Sequence, residues 1–151
     1  MGVEVGAHMQ RIVLAAVMLA GAVAPCVAQQ EQADPHAQQE VAAERQALGF
    51  LGYLDHGRFA DSYAYTGMLI RTQVDRDSFS SQLEKARTGT GALISRELTD
   101  ASYTDSVPGA PQGQYVILHY HSSFANKQDA VETLTLAFAK GYWRVSGYYI
   151  K

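Results

Sequence analysis

The sequence is nearly without thiols: Cys26 is the only cysteine in 151 residues. No disulfide framework can brace the chain, so its stability must come from an apolar core. Runs of one charge are also missing. The twelve Lys and Arg residues are scattered with no two adjacent, against fifteen Asp and Glu, and the net charge is −3. That balance argues against nucleic acid, whose binding rests on neutralising phosphates with clustered cations. No Gly-x-Ser-x-Gly elbow is present to carry a serine nucleophile. Gly89-Thr90-Gly91 lacks the Lys-Ser/Thr that completes a phosphate loop. Apolar runs long enough to span a bilayer, roughly 20 residues, are absent as well.

The longest apolar stretch is instead Ile12 to Ala24, IVLAAVMLAGAVA, with Arg11 before it and Pro25-Cys26-Val27-Ala28 after it. A basic start, a short greasy centre and a small-x-small end form the pattern of a cleavable export signal. Cleavage is expected after Ala28, which removes Cys26 and leaves Gln29 as the mature start. Met9 could serve as the start in place of Met1. A lipoprotein reading, with Cys26 lipidated, would want Gly, Ala or Ser where Pro25 stands. The sequence thus predicts a periplasmic or secreted protein, with residues 1–28 as signal, 29–38 as a polar flexible leader and 39–151 as one domain. No membrane partner is expected once the leader is gone. Hydrophobic residues make up 47% of the chain, enough for a globular core of that size.

The mature chain divides by the period of its apolar residues. Ala43, Ala47, Phe50, Leu51 and Leu54 recur at spacings of three and four, one face of a helix that Gly57 would end. A second helix is predicted from Arg58, with Phe59, Tyr63 and Tyr65 to Leu69 turned inward. A third is capped among Asp75–Ser78 and carries Phe79, Leu83 and Ala86 to a stop at Thr88-Gly89. After Gly91 the period becomes two. Strands are predicted over 92–103, 115–124, 131–139 and 142–150, with turns at Pro108–Gly113, Asn126-Lys127 and Gly141. Asn126 suits the middle turn because Asn tolerates positive φ. Val116, Leu118, Tyr120 and Phe124 share one face of the second strand, and Leu134, Leu136 and Phe138 one face of the third. Helices followed by sequential strands predict an α+β fold, an antiparallel four-stranded meander with helices on one face.

The segment from Phe50 to Tyr63, FLGYLDHGRFADSY, resembles the opening of nuclear-transport-factor-2-like, cystatin-like domains. Gly91-Ala92-Leu93, Ser95-Arg96, Pro108–Pro111, Ser123–Lys127, Val131–Thr133 and Trp143-Arg144-Val145-x-Gly147-Tyr148 narrow the resemblance to domain of unknown function family number 4019. The resemblance covers about Ala43 to Lys151. It implies a curved antiparallel sheet wrapped on helices, export to the periplasm and no agreed activity. No cofactor is expected. In the wider superfamily the cone between sheet and helices often holds a small molecule or an active site, and pairing through the sheet into homodimers is common.

Three functional readings follow. The first is a non-enzymatic module that binds a small ligand or a protein, with Phe59, Tyr63, Glu132, Leu134 and Phe138 as pocket candidates. The second is an isomerase- or hydratase-like enzyme, in which Glu132 on an apolar face would be the general base. A carboxylate at the start of that strand is more simply placed at the water-exposed rim. The third is metal binding by His119 and His121, one pleat apart on the same strand face, where zinc would need further ligands. Those histidines lie opposite Leu118 and Tyr120 and are expected to face solvent or a partner. Tyr148 and Tyr149 must point to opposite faces of the last strand, and Asp55-His56 reads as an ordinary helix end.

Overall fold

The computed structural model describes residues 33–151. The predicted export signal and the first part of the predicted leader lie outside them. Helix α1, Ala37–Asp55, starts two residues ahead of the predicted domain start at residue 39 and buries Ala43, Ala47, Phe50, Leu51 and Leu54 on one face. Glu40 in its first turn suits the positive end of the helix dipole, and its Oε1 accepts the Tyr103 N–H at 3.0 Å. Burial raises the Glu40 pKa, although that backbone bond opposes the rise. Beside this tether the His36 ring stacks on Tyr103 with centroids 3.8 Å apart, so the end of the polar leader is fixed to the sheet. Gly57 ends α1 at φ +70°. The Gly57 N–H donates to Leu54 O and the Arg58 N–H to Tyr53 O, a pair of bonds that satisfies carbonyls left open at the helix end.

The second helix is not continuous. It breaks into α2 (Phe59–Ser62), a 3-10 turn (Tyr63–Tyr65) and α3 (Met68–Arg71). Between the last two, Thr66 and Gly67 are extended and bridge in parallel to Val145; the Gly67 N–H donates to Val145 O at 3.0 Å. A contact with a strand nearly eighty residues away overrides the local helical pattern. Helix α4, Arg76–Arg87, follows the predicted cap: Asp75 Oδ1 accepts the N–H groups of Asp77 and Ser78 at 3.0 and 2.9 Å. These bonds, the one from Ser78 foremost, hold the Asp75 carboxyl below its usual pKa.

Strands β1 (Leu93–Thr104), β2 (Tyr115–Phe124), β3 (Lys127–Ala139) and β4 (Tyr142–Ile150) form one antiparallel sheet in sequence order. Bulges interrupt every pairing, near Ser95, Thr99, Ser123 and Ser146. A bulge bends its strand and adds twist; the one at Thr99 keeps Ala101 and Tyr103 turned to the core with Leu98. The tight turns differ from expectation in one respect. Asn126 has no positive φ; Lys140 (φ +54°) and Gly141 (φ +85°) are left-handed where β3 joins β4, and Gly109 (φ +79°) where β1 joins β2.

The inner face of the sheet carries Val116, Leu118, Tyr120, Leu134, Leu136, Trp143 and Val145, packed on α1 and α4. Leu118 stands opposite Leu134, and Leu134 opposite Tyr148. The alanines of α1 let the helix lie close to these larger side chains, and each buried leucine contributes about 2 kcal/mol. Phe138 is the exception on its predicted face. At the strand end it is 41% exposed, its ring resting on Trp143 at 5.2 Å.

Candidate functional site

Glu132 is the centre of the polar architecture. The structure places it wholly buried, at 0% exposure, not at the water-exposed rim. Its neighbours explain how a carboxylate survives there. Arg87 Nη1 donates to Oε1 at 2.6 Å and the Tyr148 hydroxyl donates to the same oxygen at 2.7 Å. Arg96 Nε and the Ser122 hydroxyl donate to Oε2 at 2.8 and 2.6 Å. Asp55 completes the group from the end of α1: Arg96 holds it in a two-point fork at 2.7 and 2.9 Å, and Arg87 Nη2 donates to its Oδ1. Two arginines and two carboxylates balance in charge, and every carboxylate oxygen has a donor. The Arg87 guanidinium also lies over the Phe124 ring, 4.5 Å from its centroid.

The electrostatics follow the geometry. Burial alone would raise the Asp55 pKa, but the hydrogen bonds and charge of Arg96, then Arg87, outweigh it and hold the carboxyl below its usual value. Both arginines are pushed above their ordinary range, burial being overcome by Tyr148, Glu132 and Asp55 for Arg87 and by Asp55 and Glu132 for Arg96. Burial, reinforced by the charge of Glu132, raises the Tyr148 hydroxyl, so it stays a neutral donor. Such a network, with each partner satisfied, is rigid, and it leaves Glu132 no lone pair placed to take a substrate proton.

Tyr148 links this cluster to a cleft on the other side of its ring. That cleft, about 490 Å³, lies between α3, α4 and the Ser146–Tyr148 stretch of β4. Ile70, Val74, Phe79 and Leu83 give it apolar walls, with Gln73 and Gln82 as polar groups. A smaller cavity of about 220 Å³ adjoins it and shares Ile70, Gln73, Ser146 and Gly147. The opening lies just past the break in the second helix, where α3 and Ser146–Tyr148 follow the bridge to Val145.

The predicted pocket residues do not gather here. Phe59 packs against the core, and the Tyr63 hydroxyl donates to Val74 O at 2.9 Å with its ring 5.5 Å from Phe79. Leu134 is core, Phe138 sits at the far end of its strand, and Glu132 is locked in the ionic cluster. Two of them touch the cleft's lining from behind, Tyr63 at Val74 and Phe79 and Glu132 through the Tyr148 hydroxyl. The histidines face away from the core as expected. His119 Nδ1 pairs with Thr133 Oγ1 at 3.0 Å, and His121 lies 3.6 Å from Asp129. Among the described residues no group of three His, Cys, Asp or Glu side chains could hold a metal ion. In the sequence Asp55 reads as an ordinary helix end, and neither Arg87 nor Arg96 is a predicted site residue. Arg87 did carry a signal, because it falls four residues after Leu83 on the apolar stripe of α4, where an unpaired cation would be costly.

A family model described as "Protein of unknown function (DUF4019)" matches residues 46–148. The chain belongs to that family. The match spans the whole ionic cluster and the cleft. Among solved structures, Aln2 from a Streptomyces species superposes with a TM-score of 0.50 at 11% identity, over 78% of this chain and 92% of that one. An NTF2-like protein of unknown function from Silicibacter pomeroyi gives a TM-score of 0.48 at 14% identity, covering 78% and 98%. A scytalone dehydratase-like protein from Novosphingobium aromaticivorans gives 0.46 at 14%, covering 76% and 83%. The likeness to Aln2 is one of fold alone. No curated protein matches the chain.

Proposed function

We propose that this DUF4019 domain is a non-catalytic module of an exported protein, and that the cleft between α4 and β4 takes up a small, mainly apolar ligand. The observation that carries this reading is the cleft's lining. Its walls are aliphatic and aromatic, its polar groups are amides and hydroxyls, and its one ionisable side chain, Tyr148, spends its hydroxyl on Glu132. Pockets of a few hundred cubic ångströms with apolar walls and a few fixed polar groups are the usual form of small-molecule sites. The isomerase- or hydratase-like alternative asks for a carboxylate free to accept a proton, and Glu132 already has four donors. Export to the periplasm, with Gln29 as the mature terminus, is part of the proposal and rests on the leader sequence alone. N-terminal sequencing of the protein recovered from a periplasmic extract tests that part.

The ligand site is tested with a neutral fluorescent probe, N-phenyl-1-naphthylamine. Fluorescence enhancement is expected with the native chain and is expected to vanish in Ala86→Trp, which fills the cleft from α4. Enhancement that persists in Ala86→Trp while the far-ultraviolet spectrum stays native would reject the cleft. Turnover of any substrate that disappears in Glu132→Gln while binding survives would reject the non-catalytic reading.

A further inference from the structure

A second surface stands apart from the cleft, at the tip of the β3–β4 hairpin. A groove of about 290 Å³ is formed there by Thr66–Met68 and Arg71 on one side and Ala139, Lys140, Tyr142 and Arg144 on the other. Three cations converge on it, and no acidic side chain lines it. Arg71, Lys140 and Arg144 have no carboxylate within 4.0 Å among the described residues; Arg45, Lys85 and Lys127 are likewise unpaired but do not line this groove. Arg71 is held in place by uncharged acceptors, the carbonyls of Tyr63 and Ala64 and the Thr66 hydroxyl. Arg144 lies over the Tyr142 ring at 5.3 Å, and its stem passes close to Gly67, where an added Cβ would come 3.0 Å from Arg144 Cβ. All this stands in a chain whose net charge is −3, so the positive field is local.

Apolar side chains at the same end are open to solvent. Met68 and Tyr142 are 61% and 62% exposed, and Phe138 is 41% exposed on the opposite face of the hairpin. The tip thus presents Lys140 at its apex, with Tyr142 on one side and Phe138 on the other. A small anion would need only the cations. A flat interface with negative charge above and hydrocarbon below would use both sets of groups, cations at the headgroups and the rings and thioether just beneath.

We propose that the hairpin tip docks on an anionic phospholipid bilayer surface, with Arg71, Lys140 and Arg144 meeting phosphates and Tyr142, Phe138 and Met68 entering the interface. This is a peripheral contact: no helix among the described residues is long and apolar enough to cross a membrane. It departs from the expectation of no membrane partner, and it does not depend on the cleft.

The test is cosedimentation of the full chain with vesicles of phosphatidylcholine alone or mixed with phosphatidylglycerol. Binding is expected on the mixed vesicles only, and it should be lost in high salt. Lys140→Asn keeps a residue tolerant of positive φ, and Arg144→Gln keeps the stem; each should weaken partitioning about fivefold, and both together about thirtyfold. Tyr142→Ser should weaken it further, while N-phenyl-1-naphthylamine fluorescence stays unchanged in all of these variants. Equal binding to both vesicle types, as the apolar leader would give, overturns the proposal. So does binding indifferent to the charge variants, no binding to vesicles, or a preference for soluble polyglutamate as a stand-in for an acidic protein partner.

Discussion

Tyr148 separates two regions that treat polarity in opposite ways. On one side its hydroxyl joins a buried ionic cluster in which two arginines and two carboxylates neutralise each other and no oxygen of Glu132 or Asp55 is unpaired. On the other side its ring borders an apolar cleft with room for a guest. The cluster binds α1, α4 and the sheet together; the cleft is where α3 and α4 fail to close over β4. The lesson is that the most conspicuous polar group in a cone is not by that fact its reactive centre. Buried charge that is completely matched stiffens a fold, and it is the less conspicuous neighbouring gap that has chemistry to spare.

Variants on the two sides of Tyr148 should separate these roles. Glu132→Gln leaves two buried arginines facing one carboxylate and should cost about 3–5 kcal/mol in urea denaturation, the penalty of an uncompensated buried charge. A loss under about 1 kcal/mol, the scale of an exposed pair, would mean the cluster is looser than its distances indicate. Acid attacks the same region more gradually. Asp55 titrates lower in the folded chain than in the unfolded one, so its contribution is complete above about pH 4, where the unfolded carboxyl is ionised too. As pH falls through the lower native value the unfolded chain has already bound a proton the native state refuses, and that stability is lost. An Asp55→Asn variant should therefore flatten the acid limb of the stability profile. Tyr148→Phe removes one donor to Glu132 but no charge and should cost about 1–2 kcal/mol. It should leave N-phenyl-1-naphthylamine binding close to native, since the ring still lines the cleft. Smallest of all, Gln82→Ala should change stability by less than about 0.5 kcal/mol while weakening a ligand that hydrogen-bonds the amide. If it destabilised as Glu132→Gln does, the contrast between cluster and cleft would fail.

Much of the fold was readable from the chain. The i, i+4 stripe Ala43–Ala47–Leu51 and the alternation Val116–Leu118–Tyr120 each name the buried face of an element without outside help, because the periods of helix and strand are set by local geometry. The Asp75 cap and the Gly57 stop were readable for the same reason: both act within a few residues. The discontinuous second helix was not, since its break at Thr66-Gly67 depends on pairing with Val145. The candidate site was scarcely readable at all. Glu132 read alone suggested either a solvated rim residue or a lone general base, and the structure makes it neither.

The amino-acid order alone determined which faces would be apolar, and through them an α+β meander with helices packed on one side. Only the tertiary structure decided that Asp55, Arg87, Arg96 and Glu132 would meet. Arg87 and Glu132 are 45 positions apart in the chain, so their contact depends on how α4 is packed over the sheet and on the register of the strand pairs. A charge at an apolar position declares that it needs a partner, but the partner's identity is set by geometry that no local pattern encodes.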